Sequence, residues 1–288
     1  MNNILVSGGN GQLGSELKEL TPNYQDYNFF FTDFNDLDIT AHDKVRYFIE
    51  NNNINVIINC AAYTAVDKAE SEPELSDAIN HLAVANFAQI AKDRNIKLIH
   101  ISTDYVFDGT NHKPYIETDT PNPKSIYGQT KLDGELAIQK INPANSIIIR
   151  TSWVYSKFGN NFVKTMLRLA KTRNEISVVA DQIGSSTNAA DLAQSILQIL
   201  PSIQNEILEV YHFSNEGICS WYDFAKAVFE IKSININLLP LESVNYKTKA
   251  IRPYYSVLNK SKIKQKYNLT IPYWKSSLKK CLSNINQN

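Results

Sequence analysis

The chain has 288 residues, enough for one large domain or two modest ones around a substantial core. Lys plus Arg and Asp plus Glu balance at 29 each, which argues against a nucleic-acid or anionic-membrane surface. Cys60, Cys219 and Cys281 are far apart and the five histidines are scattered, so neither a disulfide framework nor a metal site is expected.

The first residues lack the basic flank and long apolar core of a signal peptide, and no apolar run nears the ~20 residues that span a bilayer. A cytoplasmic protein with reduced thiols is the expectation. Ile4–Leu5–Val6 has the form of a strand buried on both faces of a parallel sheet. It runs into Ser7–Gly8–Gly9–Asn10–Gly11–Gln12–Leu13–Gly14, followed by a helical apolar pattern at Leu13, Leu17 and Leu20. Glycines spaced G-x-x-G-x-x-G suit a tight turn, close backbone approach to a pyrophosphate, and N–H groups exposed at a helix start. A tight turn alone would also need glycines; between a strand and a helix the phosphate reading is favoured. Gly8, Asn10, Gly11, Gln12 and Leu13 are therefore candidate cofactor contacts.

Phe29–Phe30–Phe31–Thr32 reads as the second strand, and Asp33 follows it roughly 20 residues after Gly14, the offset at which an acid meets an adenosine ribose. An ordinary loop aspartate fits nearly as well. An acid there favours NAD over NADP, and no arginine adjoins it. Asp38 and Ile39 are candidates to lie near an adenine. A helix with Val45, Phe48 and Ile49 leads to the third strand, Val56–Cys60, whose end carries the small residues Ala61 and Ala62, then Tyr63. Small residues let a cofactor lie against the backbone.

Helical periodicity from Ser76 to Ala91 leaves Asn80 as a polar-face residue. Lys97–Ile101 is a fourth strand ending in Ser102–Thr103–Asp104–Tyr105, where Thr103 can reach a substrate oxygen beyond the carboxyl ends of the sheet. After Asp108–Gly109 and Pro114, a helix starting near Tyr127 continues through Leu132, Leu136 and Ile138. Ser146–Ile149 is the fifth strand, ending in Arg150–Thr151–Ser152–Trp153. Alternating strands and helices to this point give an α/β fold with a doubly wound, Rossmann-like parallel sheet.

Beyond Trp153 the rhythm changes. Helices are expected at Phe162–Leu169, Asp191–Leu200 and Trp221–Ile231, and strands at Ile176–Val179 and Glu209–Phe213. The tail from Leu238 is rich in Pro, Tyr and Lys, with Asn259, Lys260, Lys262, Lys264 and Lys266 read as a solvated face. This divides the chain into a dinucleotide-binding domain over 1–150, with elements returning from 176–213, and a smaller α/β lobe over 151–288 that caps the strand ends and completes a substrate cleft.

Tyr127 and Lys131 stand four apart, which puts them on one face of a helix. An ammonium beside a phenol favours the phenolate and lowers a pKa that starts near ~10, making Tyr127 a proton donor and acceptor. By itself the pair reads more readily as a solvated helix start, because Tyr-x-x-x-Lys is a common accident.

Taken together, Thr103, Tyr127, Lys131 and the glycine-rich loop resemble the catalytic set of the short-chain dehydrogenase/reductase superfamily, extended branch. Gly8–Gly14, Ala61–Glu70, Ser102–Gly109, Tyr127–Lys131 and Arg150–Tyr155 are similar, block by block, to the dTDP-4-dehydrorhamnose reductase family. The likeness continues through Asn161–Phe162 and Thr165–Leu167 to Arg252–Pro253 and Ser256. It implies NADPH- or NADH-dependent reduction of dTDP-4-dehydro-L-rhamnose at C4, with Tyr127 as proton donor, Thr103 orienting the same oxygen, and Lys131 holding the cofactor ribose. It also implies sugar contacts from Thr64, Asp104, Tyr105 and Trp153, and weaker dTDP contacts from Asn161 and Arg252. Trp153 reads about evenly as a sugar platform or a core residue, and Arg252 equally bridges lobes. The chain is expected to act on a dTDP-sugar as a monomer or homodimer. Some relatives form dimers through Mg²⁺ held by glutamates; Glu16 fits one such position, but Ala190 stands where another glutamate is expected, so no metal is assigned.

Two rivals share these motifs. A nucleotide-sugar epimerase or dehydratase of the same branch would not consume reduced cofactor stoichiometrically. A non-catalytic binding protein similar to the methionine adenosyltransferase regulatory subunit keeps the Ser-Thr-Asp-Tyr-Val-Phe-Asp-Gly and Tyr-Gly-x-Thr-Lys blocks, but Arg150–Trp153 resembles the reductase.

Overall fold

A computed structural model describes residues 2–285. In chain order the elements are β1 (Asn2–Ser7), α1 (Gln12–Leu20), β2 (Tyr27–Thr32), α2 (His42–Asn51), β3 (Ile54–Asn59), α3 (Val66–Ala69) and α4 (Pro73–Asp77). A π-helical turn (Ala78–Leu82) runs into α5 (Ala83–Arg94), then β4 (Lys97–Thr103), α6 (Ile126–Ile141) and β5 (Ser146–Thr151). There follow β6 (Val154–Tyr155), α7 (Phe162–Ala170), β7 (Glu175–Val179), β8 (Ile183–Gly184), β9 (Thr187–Asn188) and α8 (Ala189–Ile199). The remainder is β10 (Glu209–His212), β11 (Cys219–Ser220), α9 (Trp221–Ile231), β12 (Asn237–Leu241), α10 (Ser261–Tyr267) and α11 (Trp274–Ser283).

Six strands form one parallel sheet in the order β10-β5-β4-β3-β1-β2. The continuous apolar runs of the sequence are its inner strands: Val6 is flanked by Phe31 on β2 and Ile58 on β3, and Ile99 by Ile58 and Ile147. One face buries Leu17 of α1, Leu192 and Ile196 of α8, and Ile263 of α10. The other buries Val45 and Ile49 of α2, Phe87 of α5 and Ile138 of α6. Because β1 has β2 on one side and β3 on the other, the chain reverses its winding there, which opens a crevice beyond the strands' carboxyl ends.

Helix ends are punctuated by asparagine: Asn95, Asn142 and Asn268 take the left-handed conformation after α5, α6 and α10, each with φ of 50°. Asparagine tolerates that region better than other non-glycine residues. A third core lies outside the main sheet, where β7 pairs in parallel with β12, and α7, α9 and α11 bury Val163, Phe224 and Leu278.

Three expectations need correction. The helix expected over 76–91 is interrupted by the π-helical turn, which aims Asn80 inward, fully buried, rather than onto a polar face. Leu136 is 49% exposed, because α6 packs through Leu132 and Ile138 instead. The tail is not simply solvated: it adds β12, α10 and α11, and Lys260 is buried and paired with Glu216 while Lys262 and Lys264 bind Glu209 and Glu216.

Candidate active site

A cavity of about 880 Å³ opens at the carboxyl ends of β1, β3, β4 and β5, within the range of ligand pockets. At one end is the loop before α1. Gly8 has φ of +70°, and a Cβ there would lie 2.7 Å from Ala61 N; a Cβ on Gly14 would lie 2.3 Å from Gly8 O. These two glycines let the loop fold on itself between β1 and β3. Gly11 caps α1 without any side-chain hydrogen bond, so the first N–H groups of Gln12 and Leu13 carry no side-chain cap where they meet the cavity. That uncapped helix start fits an anionic diphosphate. Asp33 fixes the loop, accepting from Asn10 N–H at 3.0 Å and Phe34 N–H at 2.8 Å, and lines the same end with Asp38 and Ile39. Asp38 is engaged by Thr40, whose N–H and hydroxyl both donate to its Oδ1.

Ala61, Ala62 and Thr64 line the middle of the cavity. Tyr63 turns away: Asn80 brackets its backbone, accepting from its N–H at 2.9 Å and donating to its carbonyl at 3.1 Å, while its hydroxyl binds Glu72. Asn80 also donates to Thr130 on α6, so one buried amide ties the 61–64 segment to the helix bearing Tyr127. The π-helical turn widens the backbone enough to present it; such turns often mark functional sites.

Ser125 caps α6, accepting from Gly128 N–H at 3.1 Å, and Tyr127 follows in the first turn, 9% exposed. Its ring meets Tyr105 edge-on at 5.4 Å. Burial pushes its phenol up to about 12, opposed by a hydrogen bond with Thr103. This reverses the shift that the Tyr–Lys spacing predicts. Lys131 is spent elsewhere: Nζ donates to Ile101 O at 2.7 Å and lies 3.1 Å from His100 Nε2, and burial pulls it down to about 8. Thr103 donates to Asp104 Oδ1 at 3.0 Å and accepts from Tyr105 N–H at 3.2 Å. Asp104 is 2% exposed, and burial raises its carboxyl to about 6.

Trp153 lines the far end with φ of 48°, a strained value for a bulky residue, and stacks on Trp221 at 3.6 Å and 10°. Trp221, which the sequence marked only as a helix start, lines the cavity as well. Asn161 caps α7 and its amide donates to Gln12 Oε1 at 3.0 Å, joining the start of α1 to the segment after β6. Arg252 does not line the cavity; its Nη2 pairs with Asp67 at 2.8 Å. Asn10 is likewise exposed on the rim rather than inside. Asn80, Asn59, His100 and Trp221 escaped the sequence reading. A buried polar residue within an apolar helix face or strand was the available signal.

The model for the RmlD substrate binding domain matches residues 1–287. A dTDP-4-dehydrorhamnose reductase from Aggregatibacter actinomycetemcomitans is 41% identical, over 97% of this chain and 98% of its own length. The crystal structure of a dTDP-4-dehydrorhamnose reductase from Bacillus anthracis in complex with NADP is 40% identical, with a TM-score of 0.93 over 98% of this chain and 99% of that one. A third, from Clostridium acetobutylicum, gives 40% identity and a TM-score of 0.92, covering 98% of each chain. The chain belongs to the RmlD substrate binding domain family. In this member of the RmlD family Glu16 is 5% exposed and accepts from Ser156 Oγ at 2.6 Å, and burial raises its carboxyl. Asp191, beside Ala190, is bound by Asn215 at 2.7 Å and by Ser277. Among the described residues, no cluster of His, Cys, Asp and Glu is arranged to hold a metal.

Proposed function

We propose that this chain reduces the C4 keto group of dTDP-4-dehydro-L-rhamnose, giving dTDP-L-rhamnose, with NADPH or NADH as reductant. The observation that carries the reading is the full-length family match combined with Tyr127, Thr103 and Lys131 meeting at one cavity wall. When bound, the reduced nicotinamide supplies the hydride that goes to C4.

Tyr127 gives its proton to the C4 oxygen. A phenol raised to about 12 keeps that proton at neutral pH and releases it only to a strong base, such as the alkoxide that forms when the ketone is reduced. Thr103 hydrogen-bonds the same oxygen by turning its hydroxyl from Asp104. Lys131 holds the cofactor ribose and, when charged, stabilises the phenolate left on Tyr127. The uncapped start of α1, with Gly8, Gly11, Gln12 and Leu13, receives the diphosphate, with Asn10 at its rim, and Asp33 receives the adenosine ribose, with Asp38 and Ile39 toward the adenine. Ala61 and Ala62 flank the cofactor, while Tyr63 is held away from it by Asn80 and Glu72. Thr64, Asp104, Tyr105 and Trp153 take the sugar and Asn161 the dTDP portion; Arg252, paired with Asp67 outside the cavity, bridges chain segments instead. In this reading residues 1–150, with returning elements from 176–213, bind the cofactor, and 151–288 mainly the substrate. The protein works in the cytoplasm as a monomer or homodimer.

Tyr127→Phe tests the assignment. Cofactor binding should persist while turnover falls by roughly 10²–10⁴-fold. Near-normal turnover with the substitution in place would overturn it.

A further inference from the structure

Beneath the cavity floor, side chains from three strands and α6 form a buried polar chain that ends at Lys131 on the cavity wall. Ser7 Oγ donates to Asn59 Oδ1 at 2.7 Å; Asn59 Nδ2 faces His100 Nδ1 at 3.1 Å; His100 Nε2 faces Lys131 Nζ at 3.1 Å. None of the four side chains is more than 1% exposed. The orientation of the Asn59 amide is fixed independently, because Ala61 N–H, which can only donate, points at its Oδ1 at 3.2 Å. The Nδ2 hydrogens therefore face His100, and Nδ1 must accept. A neutral imidazole carries one proton, so it resides on Nε2 and points at Lys131 Nζ. An ammonium has no lone pair to receive it; a neutral amine does.

We propose that Asn59 and His100 form a tautomer latch beneath Lys131, so that the latched arrangement accommodates only the neutral amine. Charging Lys131 requires the imidazole to move its proton to Nδ1, at the cost of the Asn59 bond. His100 is then a positioning residue: it touches neither substrate nor cofactor, and acts by setting the proton count on Lys131. The charged and titratable groups around Nζ are few. His100 approaches from β4, and Tyr127 and Glu135 from α6, with the Glu135 carboxylate itself gripped by Arg150 of β5. β1 and β3 contribute only uncharged Ser7 and Asn59, and the Cys60 thiol after β3 is kept protonated by burial. Burial holds His100 neutral throughout the working range, and the downward shift of Lys131 to about 8 agrees in direction with the latch. Lys131 is charged below that value and neutral above it. The consequence for turnover rests on the reductase reading; the tautomer switch does not.

The test is ¹⁵N NMR of histidine-labelled native protein between pH 6.5 and 10, with His100 assigned by loss of its signals in His100→Gln. The expected result is a neutral ring at every pH that passes from the Nδ1–H tautomer at low pH to Nε2–H at high pH in one transition. A single tautomer throughout, or an imidazolium, overturns the latch. In Asn59→Asp the carboxylate accepts from Nδ1–H and frees Nε2 for the ammonium. That variant should hold the Nδ1–H tautomer at all pH values, and the alkaline limb of its turnover profile should move up by a unit or more. An Nε2–H signal in folded Asn59→Asp, or a rate lowered equally at every pH, counts against the proposal. If the variant does not fold, the native spectra decide. A switch observed in a protein that turns over no keto-sugar refutes the reductase reading and leaves the latch standing.

Discussion

Asp104 is a nearly buried carboxyl on the cavity wall. Burial raises it to about 6 from an ordinary value near 4, so the folded chain binds its proton more tightly than the unfolded one. The sign follows from linkage: its contribution is fully present below pH ~4 and is lost as pH rises through 6, leaving a cost of roughly 3 kcal/mol at neutral pH. Asp104→Asn should therefore raise Tm by several degrees at pH 8 and hardly at all at pH 4. Thermal melts at the two pH values check this, and an equal difference at both would contradict it. The same physics corrected the reading of Tyr127. Spacing in the sequence put Tyr127 and Lys131 on one helix face, but not the depth at which both are buried. Depth, and the engagement of Lys131 by Ile101 O and His100, set the direction of the phenol's shift.

At the scale of elements, α6 is the part that must not move, and three attachments fix it. Ser125 caps its start; Asn80 ties it through Thr130 to the 61–64 segment; Arg150 grips Glu135 through Nε at 3.0 Å and Nη2 at 2.6 Å with both side chains at most 5% exposed. Removing one partner of a buried pair leaves the other uncompensated, which typically costs about 3–5 kcal/mol. Glu135→Gln should show a loss of that order in urea unfolding, against little change for Asp93→Asn, whose pair with Arg46 is on the surface. Asn80→Ala should release the Tyr63 amide, seen as faster hydrogen exchange at Tyr63 with β-sheet amides unchanged. The strands and amphipathic helices were legible because burial on two faces, or on one stripe, writes its period into the sequence. The π-helical turn and the Asn80 bracket were not, since they depend on a partner segment 17 residues away that no local period encodes.

Across the whole molecule, bonds between distant parts of the chain hold the segments around the cavity together. Gln12 meets Asn161, Glu19 meets Lys157, and Asp67 meets Arg252. The parallel sheet and the tight glycine turn between β1 and α1 were readable from alternating strands, helices and glycine spacing, whereas the strand order with its switch point beside β1 came from the structure. The tail was misread in part: pairing with Glu216 buries Lys260, while Lys262 and Lys264 pair with Glu209 and Glu216 yet stay partly exposed and Lys266 is solvated as expected. No described helix is long and apolar enough to cross a membrane. What the chain does is decided most directly by one assay: dTDP-4-dehydro-6-deoxyglucose, the upstream epimerase and this protein, with NADPH or NADH followed optically and the sugar product identified. The account predicts oxidation of one reduced cofactor per sugar, with dTDP-L-rhamnose formed and both abolished together in Tyr127→Phe. Sugar conversion without consumption of reduced cofactor, or no conversion by protein that binds the cofactor, would contradict it.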